Sequence, residues 1–395
     1  MHVVSKPQLS LGEKVRLGLK VLILTPYEFI VNSVQLLSFA ALRGLPLRHY
    51  FTCAKIKCFF SFSGRQLQFL LPSGSEAYQQ WIEKKKKEAS GNPAALLRIN
   101  NDIQRVPGRQ ANLLWIGNRS AAKKVVFYLH GGGYVIPNFD GYFQACWNCY
   151  IEPLLEDEDG KAGASRDEVA VAMLQYDLAE AARFPSQLLD AAAALPVLFE
   201  DGFRPRDIIV GGDSAGGNLT ILLLHHLLRP HPKVPALTLE EPFAGAYLLS
   251  PWLSLDFASP SFRRNARNDM ISFGIMESLA KGWIPEPTRK AIASSRDEGA
   301  QDAWAINPIG VEESWLCDLA GVTPRLYVRA GKEEILLDNS IELVEKLKKV
   351  DSAVDVRFDA EEGEAHDWIA VEGVFNEVGR ATKRLRKWAR GAFEA

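Results

Sequence analysis

Two glycine-rich segments hold residue types that can do chemistry. The first, Gly211-Gly212-Asp213-Ser214-Ala215-Gly216-Gly217-Asn218, follows the apolar run Asp207-Ile-Ile-Val210. It contains G-x-S-x-G between a strand-like and a helix-like stretch, the spacing that exposes a serine hydroxyl at a strained turn. Gly212 and Gly216 remove side chains that would collide with the neighbouring strand and helix. The following helix points its N-terminus at Ser214 and favours developing negative charge there. The second segment, His130-Gly131-Gly132-Gly133-Tyr134, ends the run Lys124–Leu129. Three glycines allow backbone N–H groups to point into a cavity, as an oxyanion hole requires. Gly131, Gly132 and Gly133, with Ala215 after the serine, are the candidate donors. A serine nucleophile beside such donors suits acyl transfer. His130 precedes the serine and sits where the backbone must be rigid, so it is read as loop-bracing rather than as the base. Asp213 is given the same bracing role, and Tyr134 either braces this region or lines the pocket.

These segments need elements to hold them. Asp102–Val106 and Ala111–Ile116 read as two strands joined by a Pro107-Gly108 turn, an antiparallel opening pair. Lys124–Leu129, Val169–Tyr176, Asp207–Val210, Ala246–Leu249, Arg325–Val328 and Val354–Phe358 are short apolar runs rich in β-branched or aromatic residues. Helix-like stretches, such as Ser186–Phe199 and Asn218–Leu228, lie between most of them. The alternation predicts an α/β fold, a mostly parallel eight-stranded sheet with helices on both faces. Chemistry in such sheets sits at the carboxyl ends of the strands. Residues 1–101 escape the alternation and look mainly helical. They are read as an N-terminal helical cap, with 102–395 as the catalytic domain carrying a cap insertion around 255–300.

HGGGY together with GDSAGGN closely resembles the hormone-sensitive lipase family of α/β-hydrolases, from about Asp102 to the C-terminus. The resemblance implies a serine carboxylic-ester hydrolase with triad members in the order serine, acid, histidine. The family carries an acid two residues before a leucine and another Asp two residues after it. Laid on Gly331-Lys-Glu-Glu-Ile-Leu-Leu-Asp338, this makes Leu336 the leucine and Glu334 the acid, with Glu333 and Asp338 as competitors. The family acid is usually Asp, so Glu334 is a departure, although Glu serves in this role elsewhere. The family histidine precedes an aromatic residue by two positions, which His366 and Trp368 fit. His366 would then take the Ser214 proton while Glu334 orients the imidazole. The family's Tyr-x-Leu-Ala-Pro-Glu block is altered here to Tyr176-Asp-Leu-Ala-Glu180-Ala181, which puts a local bracing contact in doubt. The resemblance implies no cofactor, and the seven histidines show no metal-ligand spacing. Two other outcomes of the same triad are acyl transfer and cyclisation in secondary metabolism. A non-catalytic small-molecule receptor is a third reading, set against the retained histidine.

Composition narrows the class. The 395 residues are 47% apolar, enough to bury a large core without disulfide or metal support. A net charge of −2 gives no basic footprint for nucleic acid. Five cysteines, sparse and odd in number, fit reduced thiols and an intracellular location, cytoplasmic or peripheral to a membrane such as the endoplasmic reticulum. Cys146 and Cys149 have C-x-x-C spacing and read as buried structural thiols. Lys84–Lys87 reads as a solvated helix face and 155–167 as an exposed loop. Phe139, Tyr142, Phe143, Trp147 and Tyr150 read mainly as helix packing, with one or two, like Trp252 and Trp368, near the mouth of an apolar pocket. Val21–Leu42 is apolar but interrupted by Pro26, Glu28, Asn32 and Gln35. It is either an amphipathic helix over the site or a membrane-surface anchor that would suit a lipophilic small-molecule ester.

Overall fold

Eight apolar runs pair into one twisted sheet: β1 (Ile103–Arg105), β2 (Asn112–Ile116), β3 (Lys124–Leu129), β4 (Val169–Gln175), β5 (Ile208–Asp213), β6 (Gly245–Leu249), β7 (Arg325–Gly331) and β8 (Asp355–Glu361). The spatial order is β1-β2-β4-β3-β5-β6-β7-β8. β2 runs antiparallel to both β1 and β4, and every other pair is parallel. The computed structural model describes residues 6–155, 167–255, 258–293, 307–310, 313–350 and 352–395. Most of the loop expected at 155–167, and part of the cap insertion expected around 255–300, lie outside these.

The parallel strands bury both faces, which explains their continuous apolar runs. β3, β5 and β6 are almost wholly buried. β5 runs three residues beyond the predicted Val210, because Gly211, Gly212 and Asp213 keep pairing with Tyr247, Leu248 and Leu249. Glycine carries little strand propensity, so sequence reading ends the strand early. A Cβ on Gly211 would overlap the Tyr247 ring, so a bare backbone lets that ring pack flat on the sheet.

In chain order the helices are α1 (Leu11–Leu19), α2 (Thr25–Leu42), α3 (Leu47–Phe59), α4 (Gly64–Leu70), α5 (Gly74–Glu88), α6 (Pro93–Leu96), α7 (Asp140–Cys146), α8 (Ser186–Glu200), α9 (Ala215–Leu228), α10 (Pro260–Asn265), α11 (Phe273–Trp283), α12 (Glu286–Ala293), α13 (Leu337–Lys349), α14 (Trp368–Val374) and α15 (Arg380–Glu394). They flank the sheet, and part of them forms a helical cap. Capping boxes start α1, α4 and α5: Ser10, Ser63 and Ser73 each exchange hydrogen bonds with Glu13, Gln66 and Glu76.

α1 and α2 run together through a π turn, Lys20–Leu24. Leu36 and Ala40 pack inward, while Leu22 (76% exposed), Tyr27 (68%) and Ile30 (62%) face out. The amphipathic reading is therefore reversed on this helix: its outward side is the apolar one. α3 packs on α2 and reaches the loop after β8. There the Tyr50 hydroxyl donates to the Gly363 carbonyl at 3.2 Å, and His49 stacks on Trp368 at 5.1 Å. In the lysine run, Lys85 departs from the solvated reading. It is buried, with its ammonium 3.3 Å from Gln144 Oε1 and over the Trp147 ring. Cys146 and Cys149 are buried free thiols, and burial raises both above the ordinary thiol range.

Candidate active site

β5 delivers Asp213 to the carboxyl edge of the sheet, and the chain turns sharply into α9. Ser214 occupies φ 50°, ψ −116°, a region a residue with a Cβ rarely adopts and one that costs about 1–3 kcal/mol. The turn is held from three sides. The Ser214 N–H donates to the Leu249 carbonyl at 2.8 Å, and the Ser214 carbonyl accepts from the N–H groups of Asn218 (3.0 Å) and Trp252 (3.1 Å). The flanking glycines are forced by close approach: a Cβ on Gly212 or Gly216 would overlap the Leu129 carbonyl oxygen of β3. Ser214 Oγ lies 2.9 Å from Nε2 of His366, across 152 residues of sequence.

His366 follows β8 and is buried. Burial alone pulls its imidazole down to about 3, so it rests neutral and able to accept a proton. Its position is set by Asp269, a fully buried residue before α11. Asp269 Oδ1 accepts the His366 N–H at 3.0 Å, and Oδ2 accepts the Ile335 N–H at 2.8 Å. One carboxylate thus straps the loop after β7 to the loop after β8. Burial raises Asp269 to about 6 against the pull of these backbone donors.

Glu334 is buried at the end of β7. Its Oε2 accepts from the Ser250 hydroxyl at 2.6 Å and from the Gly331 N–H at 2.9 Å. Ser250 Oγ in turn accepts the N–H of Asp367, next to the histidine, at 3.1 Å. Burial first, and the Asp269 charge second, push Glu334 well above the usual carboxylate range, with the two donors opposing. Among the described residues, Glu334 Oε1 and His366 Nδ1 are both buried atoms without a hydrogen-bond partner. Of the competing acids, Glu333 pairs with Arg43 at 3.1 Å. Asp338 Oδ2 accepts the Ser261 N–H at 2.7 Å in the first turn of α13.

The glycine loop packs against the same turn. Gly132 (φ 91°) and Gly133 (φ 61°) adopt backbone conformations open chiefly to glycine. Among the described residues, the N–H groups of Gly132, Gly133 and Ala215 have no hydrogen-bond partner. Gly131 differs from the expectation: its N–H donates to Asp213 Oδ1 at 3.0 Å and is spent there. His130 Nδ1 donates to the Gly131 carbonyl at 2.8 Å, and its ring stacks on Tyr176 at 4.2 Å. The Tyr176 hydroxyl donates to the His130 carbonyl at 2.7 Å. Burial holds His130 down to about 3 and therefore neutral, opposed by that loop bond. The altered Tyr176–Ala181 block places Glu180 at φ 73°, which proline's ring-locked φ could not reach.

Aromatic side chains surround this core. Tyr134 donates its hydroxyl to Asn218 Oδ1 at 2.6 Å and stacks on Trp283 at 4.3 Å. Trp252 meets Trp283 at 5.6 Å. Tyr142, Phe143, Trp147 and Tyr150 are buried in the packing of α7 and the turn that continues it. Sequence reasoning missed Asp269, Ser250 and Trp283. Asp269 and Trp283 belong to the insertion after β6, where no periodic pattern marks them. Ser250 sits directly after β6, where strand ends carry chemistry, and that signal was available.

Over residues 126–370 the chain matches the alpha/beta hydrolase fold family. It is 25% identical to an esterase of Acinetobacter venetianus over 272 residues, covering 69% of this chain and 76% of the relative. It is 26% identical to arylacetamide deacetylase of Bos taurus over 314 residues, covering 67% and 73%. A crystal structure of an esterase from the bacterial hormone-sensitive lipase family superposes with a TM-score of 0.54 at 24% identity, over 80% of this chain and 98% of that one. With HGGG and GDSAGG at the carboxyl edge of a sheet of this order, the chain belongs to the alpha/beta hydrolase fold family.

Proposed function

We propose that the chain hydrolyses a lipophilic small-molecule carboxylic ester through Ser214, His366 and Glu334. The observation that carries this reading is the 2.9 Å approach of Ser214 Oγ to His366 Nε2. His366 removes the hydroxyl proton as Ser214 attacks the ester carbonyl, then gives it to the leaving alcohol. The N–H groups of Gly132, Gly133 and Ala215 receive the oxyanion, and a donor of this kind is worth about 3 kcal/mol of barrier. Water then attacks the acyl-enzyme with His366 again as base. Glu334 fixes the tautomer by taking the Nδ1–H on Oε1, which would pair the two atoms that the resting site leaves unsatisfied. Residues 1–101 and the insertion around 255–300 act as the cap that walls the alcohol or acyl group. The buried aromatic set Tyr134, Trp252 and Trp283 favours an apolar substrate.

A panel of p-nitrophenyl esters of increasing acyl length tests this, with p-nitrophenyl acetate as the small control. Turnover is expected on the panel, with kcat/KM rising beyond acetate. Absence of turnover on every ester would count against hydrolysis, and lower values on all longer chains would count against a lipophilic substrate.

The outward face of α1 and α2 is read as a contact with an anionic lipid surface. One helix of 32 residues, Leu11–Leu42, is long and apolar enough to cross a membrane. Here it is tied down: Asn32 Nδ2 bonds Cys58 Sγ at 3.4 Å, and Gln35 bonds the Arg267 carbonyl at 2.5 Å. That tethering favours lying on a surface over spanning it. Charge agrees, since residues 11–59 carry seven Lys or Arg against two Asp or Glu in a chain of net charge −2. Near an anionic leaflet each cation free to face it contributes about 1 kcal/mol, whereas Arg43 and Arg48 are held by Glu333 and Glu377 and Lys57 by the Asp269 carbonyl. Co-sedimentation with phosphatidylcholine vesicles containing phosphatidylserine is expected, weakening with salt. The triple variant Ile23→Glu/Tyr27→Glu/Ile30→Glu should lose it while keeping p-nitrophenyl acetate turnover. No vesicle binding by the unaltered chain, or a dimer in sedimentation that the triple variant dissolves, would refute the lipid contact.

A further inference from the structure

The residue after the base is unusual in both conformation and chemistry. Asp367 sits at φ 54°, ψ 43°, in the left-handed region, with its carboxyl buried. A glycine would hold that backbone at less cost. The side chain therefore needs a reason to be there, and its partner supplies one. The Asp367 carboxyl lies beside the carboxyl of Asp213, the residue before the nucleophile. Asp213 Oδ1 accepts from the Tyr128 hydroxyl and from the Gly131 N–H. Asp367 Oδ2 accepts from the Tyr142 hydroxyl at 3.3 Å. The remaining oxygens, Asp213 Oδ2 and Asp367 Oδ1, are buried and have no hydrogen-bond partner among the described residues, the Tyr142 hydroxyl beside both carboxyls being directed at Asp367 Oδ2. Two carboxylate oxygens cannot satisfy each other, whereas one proton between them satisfies both.

We propose that Asp213 and Asp367 share a proton that latches the serine turn and the oxyanion loop to the loop carrying His366. This goes beyond the triad and rests on that reading of Ser214 and His366. Asp213 is one residue before the nucleophile and Asp367 one residue after the base, so the shared proton joins the two halves of the site. The same carboxyl holds the oxyanion loop through the Gly131 N–H. Its Oδ2 lies where a Cβ on Gly131 would be, which accounts for a glycine at that position. Tyr128, Tyr142, Tyr176, Cys146, Glu334 and the neutral His366 face the pair, and none of them supplies a positive charge. Burial first, then the Asp213 charge, pushes Asp367 well above the carboxylate range, while burial raises Asp213 against its hydrogen bonds. Loss of the proton at high pH leaves two like charges in contact behind the oxyanion site. The latch then opens, and the oxyanion donors lose their backing. Both aspartates are positioning residues: neither touches the reacting atoms.

The test is the pH profile of kcat on p-nitrophenyl acetate, with fluorophosphonate labelling of Ser214 run in parallel. The wild type should lose kcat on an alkaline limb. Asp367→Asn replaces the shared proton with a permanent amide donor, so the limb should move up by at least one pH unit or vanish. Asp213→Asn, altered from the other side, should move the limb in the same direction. Asp367→Gly, which suits the backbone but breaks the link, should lower kcat at least tenfold at neutral pH. An alkaline limb unmoved in both Asn variants, or wild-type kcat in Asp367→Gly, overturns the latch. An Asn variant that fails to fold by near-ultraviolet circular dichroism leaves the other Asn variant and Asp367→Gly to decide. If the wild type is not labelled, the serine reading itself fails; labelling with unmoved profiles sinks only the latch.

Discussion

Ser214→Ala is expected to lower kcat on p-nitrophenyl acetate by roughly four to six orders of magnitude and to abolish fluorophosphonate labelling. The reasoning is geometric. Ser214 Oγ lies 2.9 Å from His366 Nε2, and the N–H groups of Gly132, Gly133 and Ala215 flank the same turn without partners among the described residues. Removing one oxygen deletes the covalent step while leaving the donors in place. A small residual rate from the donors and binding alone should therefore survive. The melting temperature should barely change. Alanine at φ 50° is as strained as serine, so relief of the turn offers no gain, and the backbone bonds to Leu249, Asn218 and Trp252 are untouched. Retained labelling in this variant would mean that another residue is the nucleophile.

Glu334→Gln is expected to cost about 10⁴ in kcat. The amide keeps the size and can still accept from Ser250 and Gly331. It has no charge to steady an imidazolium, and its NH₂ can face Nδ1 and select the wrong tautomer. Asp338→Asn should leave kcat within about threefold and lower stability by about 1 kcal/mol, because its carboxylate caps Ser261 and lies in the first turn of α13. Glu333→Gln gives up the ion pair to Arg43, which is half exposed, and should stay close to wild type. Steady-state kinetics on the three variants separate them. If Asp338→Asn alone is inactive, the acid has been misassigned.

How much was legible in the sequence depended on whether a signal was local. β3 was read to the residue, because a β-branched and aromatic run ending in His-Gly marks both its ends. Ser214 and the glycine loop were legible because steric demands fix glycine at set offsets. Gly131, expected as an oxyanion donor, has its N–H on Asp213 instead, since composition cannot say which way one N–H points. That direction is set by Asp213, 82 residues later. Asp269 was invisible for a similar reason. Its role arises only when the insertion after β6 folds back and offers one carboxylate to two loops 31 residues apart, at Ile335 and His366. The outward apolar side of α2 was also hidden. Hydrophobicity along the chain marks a helix but does not say which flank meets the cap.

The grip of α3 on the far end of the site has a practical side. His49 lies flat on Trp368, Tyr50 holds Gly363, and His49 Nε2 meets Glu377 Oε2 at 3.0 Å. Residues 47–59 are thus a buttress for the segment that bears the imidazole. Trimming the first sixty residues to obtain a better-behaved preparation would strip that buttress away together with the greasy exterior. Rates measured on such a shortened chain would describe a loosened machine, not the intact one.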